Sequence, residues 1–435
     1  MKVHISETAV LIVFAVTLIG SIMAGIPILA ALAIGYLIFF AYSLNCGYSA
    51  KDIFAMSWKG IKTAKNILLT FLFIGMLTAL WRAAGTIPAI VSYCAGLMNP
   101  AVMILMAFLL NCLVSVLTGT AFGTAATMGV ICMTMAKAVG CNEILAGGAI
   151  LSGVFFGDRC SPVSTSALLV AELTHTNIFD NIRLMVKTAI LPLILTCVFY
   201  GVCGIVFPAA GSGNLSLAES FSSVFRLGLI PILPAVVIMV LSLFRVQVRK
   251  AMLASIVTAL GVCLFWQHTD PSLIVGILVG GYKSPDPAIS SMIDGGGIMS
   301  MVRVALIITI SSSYSGIFEE TGLLNGLKSK MGTVSRKITP FGTILMTSVA
   351  AGMVACNQTL ATMLVDQICK ELEPDAQKFA IDMENSVIVV APLVPWSIAG
   401  AVPLASVSAP LTSIVAAVFL YLLPLWHFGV RLRKK

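Results

Sequence analysis

Positions 157–166 read Gly-Asp-Arg-Cys-Ser-Pro-Val-Ser-Thr-Ser, straight after GGAILSGVFF (147–156), a run without a charge. Asp158 brings a carboxylate, Ser161 and Ser164 bring hydroxyls, and Pro162 between them removes a backbone donor. Oxygen ligands gathered at an interrupted helix suit a hard cation such as Na⁺. Backbone groups freed at membrane depth must also find a partner in protein, water or an ion. The plainer alternative is an Asp158–Arg159 ion pair at a helix end among lipid headgroups. A second break, APLVPWSIAG (391–400), sets Pro395, Trp396 and Ser397 in similar order. Two further stretches have the grammar of hairpin tips. LTGTAFGTAATMG (117–129) offers Thr118, Gly119, Thr120 and Thr124, and VACNQTLATM (354–363) offers Asn357, Gln358 and Thr359. Glycines permit the tight turn and the hydroxyls can join freed carbonyls as ligands. Ordinary helices with small packing faces are the alternative for both. Glu384 lies about two turns before the second break and is balanced between site and structure, as is Asp366.

The elements that position these residues must lie in lipid. The chain has 435 residues, 59% hydrophobic and 10% charged, against roughly 25% charged in soluble domains. Apolar runs recur, among them Ala9–Ile26, Thr188–Pro208 and Leu411–Trp426. Each approaches the ~20 residues needed to cross a bilayer. The first reads as a retained helix and not a cleavable leader. The net charge of +8 reports topology, not nucleic-acid binding. Lys and Arg cluster at 51–65, 183–187, 245–250, 328–337 and the RLRKK tail, which the positive-inside rule assigns to the cytoplasm with both termini. Eleven cysteines form no CxxC and four histidines are scattered, so neither a disulfide framework nor a Cys/His metal site is expected. Glu320 and Arg82 read as interfacial, Asp294 as a helix cap, and Glu172 and His175 as solvated residues near the inner exit.

An internal repeat organises the spans. WRAAGTIPAI (81–90) matches FEETGLLNGL (318–327) at an offset of 237, TAATM (124–128) matches TLATM (359–363) at 235, and SPVSTSA (161–167) matches VPWSIAG (394–400) at 233. Roughly five crossings per half would invert the second copy, an arrangement common in secondary transporters with sites at broken helices. The expected architecture is an all-α polytopic membrane protein with about ten transmembrane helices and two re-entrant hairpins. Its first repeat covers 1–208, with a hairpin at about 101–138 and a broken helix at about 144–175. An extracellular connector covers 209–226. The second repeat covers 227–435, with a hairpin at about 340–371 and a broken helix at about 378–410.

Over most of its length the chain resembles the NhaC family of Na⁺/H⁺ antiporters. TGTAFGTAAT (118–127), GAILSGVFFGDRCSP (148–162), GGG (295–297), DQ (366–367) and PLVPW (392–396) carry the resemblance. It implies two hairpins, two discontinuous helices, and a cation near Asp158 and the 118–124 tip. Ser161, Ser164, Thr118, Gly119, Thr120 and Thr124 are the companion candidates. The chain departs from the family pattern at Thr165, where an acid is expected, and at Asn385, which stands for a second acid. Ile388, Val390, Ala391 and Ile398 replace hydroxyl-bearing positions, and Ser397 replaces an amide. The second-half candidates, Asn357, Gln358, Thr359, Pro395, Trp396, Ser397, Glu384 and Asn385, would thus hold a cation or a less polar substrate. The resemblance implies Na⁺/H⁺ antiport in the cell (inner) membrane, with Na⁺ or H⁺ competing for Asp158. The alternative is a Na⁺- or H⁺-coupled carrier of an amino acid or organic acid. The expected partners are membrane lipid, an inorganic cation and, on the alternative reading, a small organic solute. No cofactor and no nucleic acid is expected, a homodimer stays open, and no catalytic set for an enzyme is present.

Overall fold

The computed structural model describes residues 7–24, 26–94, 99–207, 221–244, 246–322 and 339–433. The connector up to residue 220, the repeat match beyond residue 322, the basic loop at 328–337, Arg245 and the last two lysines lie outside the described residues. All named elements are helical, with one isolated bridge, Tyr282 to Gly295. Among the described residues six helices are long and apolar enough to cross a membrane, or eight if each of two bent pairs is one span. Shorter apolar helices, such as Ile230–Leu241 and Pro340–Ala355, add to the bundle outside that count. The 29-residue helix Ile178–Val206 shows why lipid must surround it. Ile190, Ile194, Val198, Val202 and Ile205 are all exposed along its length, a face that would aggregate in water.

The centre of the bundle is the helix Glu143–Cys160, started by Asn142, whose Oδ1 accepts from the Ile144 and Leu145 N–H groups. Almost all of it beyond the first turn is buried. Glycine lets it lie against helix Met103–Thr118. A Cβ on Gly157 would fall 2.3 Å from the Ser115 Cβ and 2.4 Å from the Val116 N. The contact is fastened by Ser115 Oγ donating to the Val154 carbonyl at 2.5 Å.

Helices Met103–Thr118 and Ala121–Thr124, the latter continuing to Ala138, are joined by Gly119 and Thr120. Gly119 sits at φ 65°, ψ 27°, the left-handed region that a side chain resists. Thr120 is extended and its Oγ1 accepts from the Gly123 N–H. In the second half, Pro340–Ala355 and Gln358–Cys369 are joined by Cys356, also left-handed at φ 54°, and an extended Asn357 that accepts from the Thr359 N–H. The breaks agree as closely. Glu143–Cys160 is followed by extended Ser161, then by Ser164, which caps Thr165–Leu173. Ala376–Glu384, Val387–Val390 and a short 3-10 turn are followed by extended Val394, then by Ser397, which caps Ile398–Ser406 after a 58° bend. Left-handed turn, extended cap, extended break and serine cap therefore occur twice in the same order.

Two charges outside these features sit differently from expectation. Arg82 is at a helix end but is buried, its Nη1 donating to the Thr78 carbonyl at 2.8 Å, because the guanidinium folds back along its own helix. Asp294 accepts from the Ser284 N–H and from Ser290 Oγ, so it closes the loop before the glycines and does not start a helix. Glu320 is exposed and pairs with Lys59 at 2.7 Å.

Candidate functional site

Each of the two turns packs on the break that follows it in the chain. A Cβ on Gly119 would lie 2.8 Å from the Val163 carbonyl carbon and 3.0 Å from the Ser164 N. The Cys356 carbonyl accepts from the Ile398 N–H at 2.9 Å. All four features then meet around one cavity of about 120 Å³, lined by Thr120 and Ala121, Asp158, Thr165 and Ser166, Asn357 to Thr359, and Ile398 and Ala399. At ~30 Å³ per water, that is room for roughly four water-sized bodies. Four helix N-termini open toward it, each capped by its own side chain, Thr120, Ser164, Asn357 or Ser397, so four positive dipole ends face the space.

Asp158 is the carboxylate in this cavity and is 4% exposed. Ser164 Oγ donates to its Oδ1 at 3.0 Å and Ser166 Oγ to its Oδ2 at 2.7 Å. Ala121, at the first turn, lines the same cavity. Ser164 thus both caps Thr165–Leu173 and holds the acid that ends the preceding helix. The sequence reading does not single out Ser166. Its signal is the spacing: two positions beyond a cap, a side chain returns to the Asp158 side of the break.

The remaining candidates fall in other places. Thr118 and Thr124 bond each other at 2.9 Å inside the first hairpin, and Thr124 Oγ1 also reaches the Thr120 carbonyl. Ser161 Oγ accepts from the Val163 N–H within the break. Gln358 Nε2 donates to the Ile388 carbonyl at 3.2 Å, which ties the second tip to its own discontinuous helix. Pro395 belongs to the second break outside the cavity lining, and Trp396 Nε1 donates to the Met353 carbonyl at 2.8 Å. Ser397 caps through the Ala399 N–H.

Glu384 and Asn385 form a second polar centre with Arg159. Arg159 does not pair with Asp158. It turns away, fully buried, and donates to the Glu384 carbonyl at 3.2 Å, the Met185 carbonyl at 3.2 Å, Thr188 Oγ1 at 3.0 Å and Asn385 Oδ1. One guanidinium therefore joins the first broken helix, the long helix at 178–206 and the second broken helix. Its acceptors are all neutral, and both oxygens of the buried Glu384 carboxyl are without a hydrogen-bond partner. Nearby, Asp382, also fully buried, receives Arg431 at 2.7 Å and His427 at 2.7 Å, which docks the C-terminal helix Val418–Arg433.

The Na⁺/H⁺ antiporter family matches residues 1–171 and again residues 153–430 of the chain. Among curated proteins, a malate-2H⁺/Na⁺-lactate antiporter of Bacillus subtilis (strain 168) is 25% identical over 400 residues, 88% of this chain and 84% of the relative. The Na⁺/H⁺ antiporter NhaC of Alkalihalophilus pseudofirmus is 22% identical over 388 residues, 86% of this chain and 82% of the relative. The arginine/ornithine antiporter ArcD of Halobacterium salinarum is 23% identical over 390 residues, 87% and 80% respectively.

Proposed function

The chain belongs to the Na⁺/H⁺ antiporter family, a membrane antiporter and not an enzyme, and from that premise we propose that it exchanges Na⁺ and H⁺ at Asp158 by alternating access. The observation that carries this reading is the cavity: two turn tips and two helix breaks around a single buried carboxylate. Asp158, Ser164 and Ser166 supply oxygens suited to a hard cation, and the small volume leaves room for a partly hydrated ion. A proton on Asp158 removes the charge that holds Na⁺, so the two compete for one group. Two inverted repeats would let one hairpin-bearing unit move against the rest and expose the site alternately to each side, with both termini at the cytoplasmic face. The test is a Na⁺ pulse applied to proteoliposomes carrying a trapped pH dye. Wild-type protein should alkalinise or acidify the lumen according to the gradient, and Asp158→Asn should not, while eluting as a folded species. A full response from the variant rejects the assignment.

A second reading is cation-coupled exchange of a small organic solute. It is supported by the positive helix ends around the cavity, which attract anionic groups, and by Ile398 and Ala399 on its second-half wall. The malate/lactate and arginine/ornithine relatives are consistent with it. A lumenal pH change that appears only when an organic solute is present would favour this reading.

A further inference from the structure

The protein buries a second carboxyl that exchange at Asp158 leaves unused. Glu384 ends helix Ala376–Glu384, is fully buried, and has no hydrogen-bond partner on either carboxyl oxygen. Arg159 donates to the backbone carbonyl of this same residue at 3.2 Å. Its other bonds go to the Met185 carbonyl, Thr188, Cys160 and Asn385. The guanidinium therefore lies near the Glu384 carboxyl without pairing with it. A carboxylate enclosed there with no donor would be an unsatisfied charge in an apolar interior, whereas the protonated acid carries no charge. Glu384 holds its proton in this conformation.

The charges that act on Glu384 are those of Arg159 and Asp158, and the Cys160 thiol is a third titratable neighbour. The remaining groups on the packed helices are engaged elsewhere. Asp382, on the same helix, is held by His427 and Arg431. Asp366, on helix Gln358–Cys369, responds to Lys370 and His175. Glu172, Asp180, Arg183 and Lys187, on the two helices alongside, are exposed. Helices Pro340–Ala355 and Val387–Val390 carry no charge. Asp158 accepts a hydroxyl hydrogen on each oxygen, as a carboxylate does. Asp158 and Arg159 thus cancel, and a protonated Glu384 adds nothing. A cation arriving at Asp158 leaves this buried set with an excess positive charge. Loss of the Glu384 proton removes the excess and gives the guanidinium an anionic acceptor in place of neutral ones.

We propose that Glu384 is a proton site coupled to the Asp158 cavity: Na⁺ binding at Asp158 expels the Glu384 proton, and the resulting carboxylate pairs with Arg159. The proton passes from the carboxyl oxygen to water and returns when Na⁺ departs. Arg159 ties the first broken helix and helix Ile178–Val206 to the second broken helix, so its change of partner acts on both halves at once. The inference rests on the Na⁺/H⁺ reading of Asp158 and adds a second titrating group to it.

The test is Na⁺ binding to the full-length protein in detergent, measured by calorimetry across a pH series, for wild type, Asp158→Asn and Glu384→Gln. Above the pH at which the affinity of Glu384→Gln stops changing, Asp158 is ionised, and any remaining pH dependence belongs to another group. There the wild-type affinity should still rise about tenfold per pH unit, the slope expected when Na⁺ displaces a single proton, while Glu384→Gln stays flat. Glu384→Met repeats the comparison if the amide perturbs folding, because the carboxyl oxygens have no hydrogen bond to lose. Equal slopes in wild type and the Glu384 variants overturn the Glu384 site and leave the Asp158 reading standing. No Na⁺ binding by wild type, or undiminished binding by Asp158→Asn, overturns the Asp158 reading and this inference with it.

Discussion

Replacing Arg159 by Lys keeps the charge and removes the fork. The guanidinium reaches acceptors on three segments: the Met185 carbonyl and Thr188 on one helix, the Glu384 carbonyl and Asn385 at another helix break, and its own helix end. A lysine ammonium is a compact point donor and cannot span such a set. At least two of these bonds should be lost. Hydrogen bonds to a charged group contribute ~1.5–3 kcal/mol each, so the loss is at least about 3 kcal/mol, roughly a hundredfold in the folding equilibrium. The stranded Asn385 oxygen adds to it, because Asn385 is itself fully buried. The assay is the thermal midpoint of the detergent-solubilised protein, followed by size-exclusion elution, with wild type and Arg159→Gln alongside. Both variants should melt well below wild type, with Gln the lower of the two. If Arg159→Lys melts with wild type, the clamp between the two broken helices is not what holds this region, and the reading of Arg159 fails.

Other substitutions probe the rest of the scaffold. Gly157→Ala drives a methyl into Ser115 and Val116 and should cost ~1–3 kcal/mol by overpacking, read as a lowered thermal midpoint; no change would mean the two helices can part. Glu384→Gln removes no hydrogen bond, since neither carboxyl oxygen has one, so stability should stay within ~1 kcal/mol; a drop of more than about 2 kcal/mol would contradict that. Asp375→Ala removes the cap on Gln377 and Lys378 N–H, at ~1 kcal/mol. The Lys378 N–H in particular holds the Asp375 carboxyl below the usual carboxylate range. The cap's contribution is therefore whole above the unfolded value and fades as pH falls through the folded one, so the thermal midpoints of wild type and variant should converge at acid pH.

Asp158 shows what can be read without coordinates. An acid ending an uncharged run, followed by proline and spaced serines, already defines a helix that stops in the membrane, because each of those residues acts through its own local bonding. Gly119 and Ser397 are legible on the same ground: a left-handed turn and a helix cap are local events. The pairing of tips with breaks is visible in the chain only as weak matches at offsets 233 to 237, and the backbone has the same turn and cap conformations on both sides.

Sequence alone does not reveal which polar groups face each other. Asp158 and Arg159 are neighbours in the chain and look like an ion pair. On a helix, adjacent side chains point about 100° apart, and each has a different environment, the carboxylate in the four-ended cavity and the guanidinium among carbonyls 26 and 225 positions away. Glu384 and Asn385 are drawn to that second centre and away from the cavity by the same logic. Local bonding decided where the helices break; only the packing of distant helices decided what each break can hold.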